Sequence, residues 1–431
     1  MAQSVGDGPF RDYSDGSFEK ALKGAHAALE GDPRNPVWWA LVAESNARLD
    51  RNLAAADAFA QAASFEQDAD KRSYFLRAQA LQLVYADRAG EARAVVARAM
   101  DEPLLAASMS LDWAMVAISA GDDISAQAIL ANEALYERFT RQTALDAGYS
   151  AKRVGLDARA SRFFALGLAL DAADAQPLAE GKRESVRREI RELDRSWSLL
   201  AQASYSSAGS PLGLANPSLG TDEVFQTGAE IAWRIGGWRN GRPLSVFARG
   251  FHSETLGDPQ VAGNASQGWL GVRYKPLSTL NLNIEASRLV ALDSDGLDDW
   301  SARAAISGGQ GLEPQSDRRG WAYAHFYGDV SYLAKADAAY GVAEVRGGYA
   351  MLLDRRATTL TPYGVTRLGL DTVRAEQHDF GGGVGVSLRH WFDETEMTAY
   401  RGFIDLDVQA RQRISGDDRA SGILATITVG R

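Results

Sequence analysis

The chain has no cysteine among its 431 residues, so a disulfide framework, a thiolate nucleophile and a cysteine-held zinc are all excluded. Histidine is scarce: His26, His252, His325, His378 and His390 are scattered, and no two stand at metal-ligand spacing on one element. Nowhere does an apolar run approach the roughly 20 residues that a membrane helix needs, which excludes a helical membrane protein. It does not exclude a barrel, whose alternating strands leave mean hydropathy near that of a soluble protein. Concentrated basic charge is lacking as well. The net charge is −10, and the longest basic stretch, 182–195, is interleaved with Glu184, Glu189, Glu192 and Asp194, which reads as a solvated helix face and not as a nucleic-acid surface. Finally, Met1-Ala2-Gln3-Ser4-Val5 leads into polar sequence without the apolar core of a signal peptide. For an exported chain the expectation is that the signal peptide has been removed and that Met1 precedes a mature N-terminus.

What is present divides in two. From Ser17 to about Arg195 the sequence is Ala-rich and apolar at three- and four-residue spacing, the mark of amphipathic helices. The turn Gly31-Asp32-Pro33-Arg34-Asn35-Pro36 stops one helix before Val37-Trp38-Trp39 opens the next. Glycines recur at Gly90, Gly121 and Gly155, intervals near the 34 residues of a tetratricopeptide repeat, and Ala40, Ala43, Ala56, Ala62, Ala94 and Ala128 allow close helix approach. Four or five repeats are expected, forming an α-solenoid whose concave groove suits protein or peptide ligands. Trp38, Trp39 and Trp113 are the groove candidates, although aromatic residues at such spacing also fill helix cores.

Near Arg195 the period changes from helical to two and stays there. Phe225, Thr227, Ala229, Ile231, Trp233 and Ile235 oppose Gln226, Glu230 and Arg234; Ile404, Leu406, Val408 and Ala410 oppose Asp405, Asp407, Gln409 and Arg411. Such runs cover nine to eleven residues, the length a tilted strand needs to cross a bilayer, and soluble strands average five or six. An apolar face set against a charged one fits an exterior in lipid and an interior in water. Strands are expected at 197–206, 224–235, 243–253, 266–276, 279–289, 299–308, 320–333, 338–353, 357–370, 382–392, 400–414 and 420–430. Twelve is the even number that closes an up-and-down barrel with both chain ends on one side. Lys275-Pro276-Leu277-Ser278 and Asp354-Arg355-Arg356 read as short turns, and 208–223, 256–266 and 309–319 as longer external loops. Trp197, Tyr205, Trp233, Trp238, Trp269, Tyr274, Trp300, Trp321, Tyr332 and Trp391 are candidates for interfacial girdles.

From about Trp321 onward the chain resembles the C-terminal domain of the bacteriophage N-four adsorption protein A family, the NfrA type. The likeness is carried by Asp329-Val330-Ser331-Tyr332-Leu333, Leu360-Thr361-Pro362-Tyr363, Gly383-Val384-Gly385-Val386-Ser387-Leu388-Arg389-His390-Trp391-Phe392, Arg401 and 405–411. The resemblance implies an outer-membrane protein with periplasmic tetratricopeptide repeats, a phage receptor component and a partner of an inner-membrane glycosyltransferase in exopolysaccharide export. The plan also looks like that of the cellulose and poly-N-acetylglucosamine exporters. This chain departs from the family in a shorter repeat region and in ending Val429-Gly430-Arg431, where such barrels commonly end in an aromatic residue.

The expected organisation is a segment 1–16, a repeat domain 17–195 and an outer-membrane barrel 196–431, with the repeats in the periplasm. No catalytic constellation is visible: Gly381-Gly382-Gly383 lacks the Lys-Ser/Thr of a phosphate loop, and no nucleophile elbow is present. An enzyme, a cofactor and a nucleic-acid partner are therefore not expected. The functional candidates are the inward polar residues Glu230, Arg234, Arg249, Arg273, Glu285, Arg303, His325, Asp329, Glu344, Arg346, Arg367, Arg389, Asp405, Asp407, Arg411 and Arg413. They either line a path for a hydrated glycan or pair with one another and hold the wall together. The first alternative gives the exit conduit of an exopolysaccharide exporter, its repeats docking periplasmic or inner-membrane partners. The second gives a phage-adsorption receptor or scaffold with a closed barrel.

Overall fold

A computed structural model describes residues 7–106, 109–208, 223–256, 264–294, 296–315, 317–354 and 357–431. Most of the start of the expected segment 1–16, the tips of the loops expected at 208–223 and 256–266, and Arg355-Arg356 of one expected turn lie outside the described residues. The chain divides into two compact units, Met1–Leu170 and Asp171–Arg431.

The first unit is helical, with α1 (Asp7–Ser14), α2 (Phe18–Gly31), α3 (Pro36–Arg48), α4 (Asn52–Phe65), α5 (Ala69–Tyr85), α6 (Ala89–Asp101), α7 (Pro103–Ala106), α8 (Leu111–Ser119), α9 (Asp123–Ile129), α10 (Arg141–Arg153) and α11 (Asp157–Ala172). Its repeat is set by backbone geometry. Gly16, Asp50, Asp87, Gly121 and Gly155 all take positive φ, at intervals of 34, 37, 34 and 34 residues. Each ends the first helix of a pair with the same bond: Ser17 N–H to Asp12 O, Arg51 N–H to Asn46 O, Arg88 N–H to Leu83 O, Asp122 N–H to Ala117 O and Leu156 N–H to Ala151 O, at 2.7–2.9 Å. These six-residue closures are the left-handed helix cap that glycine favours and aspartate tolerates. The repeat marker is thus Asp87 and not Gly90, which lies inside α6. Five tetratricopeptide-like helix pairs result. Fully buried alanines such as Ala21, Ala25, Ala43 and Ala62 bring the helices close, and Phe59, Trp113, Phe163 and Phe164 fill the space between them.

The second unit opens with α12 (Glu180–Asp194) and continues into twelve strands: β1 (Trp197–Ser206), β2 (Glu223–Ile235), β3 (Leu244–Leu256), β4 (Asn264–Tyr274), β5 (Asn281–Ala291), β6 (Asp299–Gln310), β7 (Gly320–Leu333), β8 (Ala338–Leu352), β9 (Thr358–Asp371), β10 (His378–Phe392), β11 (Gly402–Gly416) and β12 (Gly422–Gly430). Every strand pairs antiparallel with its sequence neighbours, and β1 pairs with β12 to close the barrel. The break between units falls before α12, whereas the change of sequence period falls after it.

Polarity is inside-out. Arg249, Glu285, Arg303, Glu344, Arg367, Asp405, Asp407 and Arg411 are buried, while Leu270, Val290, Val345, Val384, Leu406 and Ile427 are exposed. A soluble barrel shows the reverse, and only a lipid exterior makes this arrangement stable. Alternation also sorts the aromatic residues. Trp197 and Trp233 stack on the outer face at 5.9 Å, and Tyr274, Trp300 and Tyr332 are exposed as a girdle requires. Trp269, Trp321 and Trp391 are buried, because each has the parity of the charged face, and Trp238 borders an internal cavity.

Strand parity fixes which loops share an end. The near end is that at which β1 begins, and there β6 gives way to β7; the segment expected at 309–319 as an external loop therefore lies at the near end with α12. Its length and polarity suggested the opposite side, but the number of strands before it decides.

The lipid-facing assignment is tested at Val384, near the middle of β10 and 66% exposed. Val384→Arg is expected to lower unfolding free energy in lipid vesicles by about 2–4 kcal/mol, the cost of a cation at the bilayer midplane; an unchanged denaturant midpoint would place this face elsewhere.

Candidate lumen site

The inner residues of six successive strands form one ion-pair ladder. Arg249 on β3 donates Nε to Glu230 on β2 at 2.8 Å, and Arg273 on β4 grips the same carboxylate through both Nη atoms at 2.8 Å. Arg273 Nε then reaches Glu285 on β5 at 2.6 Å, and Glu285 also accepts from Arg303 on β6 at 3.2 Å, with Arg249 at 3.4 Å. Arg303 ends the series on Asp329 and Tyr327 of β7. Glu230 and Glu285 each serve several guanidinium groups and Asp329 serves Arg303, so the charges neutralise one another where water is thin.

The opposite wall is built differently. Arg346 on β8 binds Glu344 at 2.6 Å and spans to Asp407 on β11 at 3.0 Å, while Tyr363 on β9 donates to the same Asp407 at 2.7 Å. Tyr363 lies flat over Gly385, where a Cβ would come within 2.5 Å of its ring, and it carries the Arg346 guanidinium 4.8 Å from its centroid. Arg389 pairs with Asp405 at 2.9 Å, and Arg367 with Asp379 at 2.5 Å. His325 borders this group, with Arg346, Asp405 and Asp407 around one small cavity of about 250 Å³. Arg413 is instead exposed at the far rim, paired with Asp418, because it lies beyond Arg411, the last β11 residue that β12 pairs.

A larger cavity of about 630 Å³ lies at the near end above the ladder. Arg234, Trp238, Lys275, Asn281, Asn283 and Ser307 border it, with Arg234 4.7 Å and Lys275 5.6 Å from the Trp238 ring. Amides, a hydroxyl and an indole beside cations are the groups that receive sugar hydroxyls and an apolar sugar face.

The stretch read as a solvated helix face is α12, and it is not solvated: Glu184, Val186, Ile190 and Leu193 are buried. Its arginines hold the near rim at three places. Arg187 donates to the Thr395 and Thr398 carbonyls and Arg191 to the Tyr400 carbonyl at 3.0 Å, all between β10 and β11. Arg191 and Arg188 both reach Glu313 between β6 and β7, at 2.9 and 2.7 Å. Arg234 on β2 donates to the Glu192 and Arg195 carbonyls at 2.6 and 2.7 Å. Because β2, β6–β7 and β10–β11 divide a twelve-stranded ring into near thirds, α12 lies across the mouth. Burial pushes the Glu184 carboxyl above its usual range against the pull of Arg187 and Arg188. Sequence reasoning missed Arg187, Arg188, Arg191 and Glu313; the one available signal was Val186, Ile190 and Leu193 recurring at helical spacing among the charges. It also passed over Tyr327 and Tyr363, whose parity matches the charged face.

In the helical unit Trp113 is 1% exposed and donates Nε1 to Ser73 at 2.9 Å, a core position and not a groove wall. Trp38 and Trp39 are partly buried; Trp38 stacks on Phe10 at 5.2 Å and Trp39 donates to the Pro33 carbonyl at 2.9 Å.

Residues 258–427 match the family model described as Bacteriophage N adsorption protein A C-term. The resemblance seen in the sequence therefore holds over most of the barrel, from before β4 to within β12. No curated protein sequence matches the chain. Among solved structures, an outer membrane channel from Pseudomonas putida F1 is similar at 10% identity and TM-score 0.32, over 55% of this chain and 94% of that one. The type IV pilus biogenesis factor PilW is similar at 17% identity and TM-score 0.31, over 42% and 80%. The carbohydrate-binding β-barrel Wzi of Escherichia coli is similar at 9% identity and TM-score 0.25, over 64% and 92%. All three likenesses are loose. With its inverted polarity and closed wall, the second unit is an outer-membrane β-barrel.

Glu285 is the node of the ladder and is 3% exposed. Glu285→Gln, which leaves three arginines short of a charge, is expected to cost about 3–5 kcal/mol of unfolding free energy, read from denaturant titration. A loss below 1 kcal/mol would mean that water and not Glu285 neutralises them.

Proposed function

We propose that this protein is the outer-membrane component of an exopolysaccharide export system, in which the repeats dock periplasmic proteins or an inner-membrane glycosyltransferase and the barrel is the exit conduit. The observation that carries this reading is the near-end cavity of about 630 Å³, whose Trp238, Asn281, Asn283 and Ser307 offer a sugar both a stacking face and hydrogen bonds. On this reading the near end faces the periplasm, with the repeats on that side, as expected once a signal peptide has been removed. Deleting the gene should abolish a surface glycan; unchanged glycan output removes the reading.

A second reading, a phage-adsorption receptor or scaffold with a closed barrel, is favoured by the ladder across β2–β7 and by α12 over the mouth. It also draws support from the adsorption-protein family match. Single-channel recording separates the two. A conduit shut at rest by α12 should conduct rarely as the native chain and often once Arg187→Ala, Arg188→Ala and Arg191→Ala together release the helix from the 393–401 segment and Glu313. A receptor should stay silent in both forms.

A further inference from the structure

The far half of the lumen holds a guanidinium that no group among the described residues receives. Arg411 on β11 is 8% exposed, and among the described residues it makes no hydrogen bond or ion pair; its Nε and Nη1 are buried without an acceptor. The other lumen arginines of this wall are each matched: Arg346 to Glu344 and Asp407, Arg367 to Asp379, and Arg389 to Asp405. The carboxylates that face Arg411, Glu344 and Asp379, are already taken by Arg346 and Arg367, which face it as well. An unpaired buried charge is among the costliest groups a fold can retain.

Local structure explains why no described side chain meets it. β10 runs between Arg367 and Arg411, and the residues opposite them are Gly381 and Gly383, so no side chain separates the two guanidinium groups. Arg367 Nε is itself buried without an acceptor. The 3-10 turn Asp418–Ala420 closes over this point from the far end: the Ala420 carbonyl oxygen stands 2.5 Å from where a Cβ on Gly381 would lie. Arg419 of the same turn is buried, held by Asp371 and Asp417 at 3.3 and 3.1 Å, and its Nη2 also lacks an acceptor. Three arginines at one end of β9–β11 thus offer buried N–H groups with no acceptor supplied by the described residues.

We propose that Arg411, with Arg367 beside it, is an oxyanion-binding site in the far half of the lumen, receiving a carboxylate or phosphate group of a ligand held there. A single negative charge neutralises Arg411 and accepts the N–H groups left over by the protein's own pairs. Under the export reading the group is the carboxylate of an acidic sugar. That identity rests on the export reading, whereas the oxyanion site does not.

The test uses the full chain purified in detergent, with its thermal unfolding midpoint followed at constant ionic strength as chloride is replaced by inorganic phosphate or by glucuronate, and with glucose as the uncharged control. The midpoint is expected to rise saturably with phosphate and glucuronate and to stay level with glucose, since a ligand bound only to the folded state stabilises it by mass action. Arg411→Gln and Arg411→Met should abolish the rise, and Arg411→Met in chloride should unfold no earlier than the native chain. Identical midpoints in all salts overturn the site, and this arm needs no variant to fold; a rise retained in Arg411→Gln overturns the role of Arg411. A response to phosphate without one to glucuronate keeps the oxyanion site and removes the acidic sugar as its occupant. Loss of the export reading through unchanged surface glycan leaves the titration as it stands, so the two failures are distinguishable.

Discussion

The arginine–carboxylate ladder centred on Glu285 governs the barrel because it couples register to polarity. Glu230, Arg249, Arg273, Glu285, Arg303 and Asp329 come from six successive strands, and each strand places its charge at a height where the next can meet it. Since strand side chains alternate, a slip of one residue would turn that charge into lipid and put its apolar neighbour in the lumen. The bilayer therefore enforces the pairing twice, once by excluding charge from the outside and once by leaving each inside charge dependent on its partners.

The two walls of the lumen use that constraint differently. Along β2–β7 the pairs join strands one or two places apart, with the near-end cavity above them. On the other wall Arg346 and Tyr363 converge on Asp407 from three and two strands away respectively, and Gly385 makes room for the Tyr363 ring. The first arrangement stiffens the wall, whereas the second fills the interior. α12 adds a third element, for on the rim its arginines meet backbone carbonyls as well as the carboxylates of Glu313 and Glu394, so its hold depends on helix position as well as on ion pairing.

The barrel was legible because lipid imposes a period of two over long strands, and residues such as Ile404, Leu406 and Val408 against Asp405 and Asp407 display it without interruption. Strand bounds came within a few residues, yet the side on which 309–319 lies was misread, since loop length is a weaker signal than strand parity. The helical repeat is legible in its period and not in its marker: at one cap the left-handed conformation is taken by Asp87, which tolerates what Gly121 favours. α12 was hidden because its charges look solvated until the carbonyls and Glu313 that receive them are placed in space, and those partners lie more than 120 residues away in sequence. Arg411 is visible as an inward residue, but its lack of a partner among the described residues is a property of the assembled wall alone.

Eleven of the twelve seams in the wall join strands that follow one another along the chain, and each zips locally after a turn. The remaining seam joins Leu200 to Gly430, and Arg431 exchanges two backbone hydrogen bonds with Leu199 at 2.8 Å. That closure must gather a loop of some 230 residues, so its chain entropy is paid in one step while the hairpins are cheap to form. Until it forms, both edge strands present bare amide and carbonyl groups to the bilayer, which makes the β1–β12 seam the costliest of the twelve to leave open.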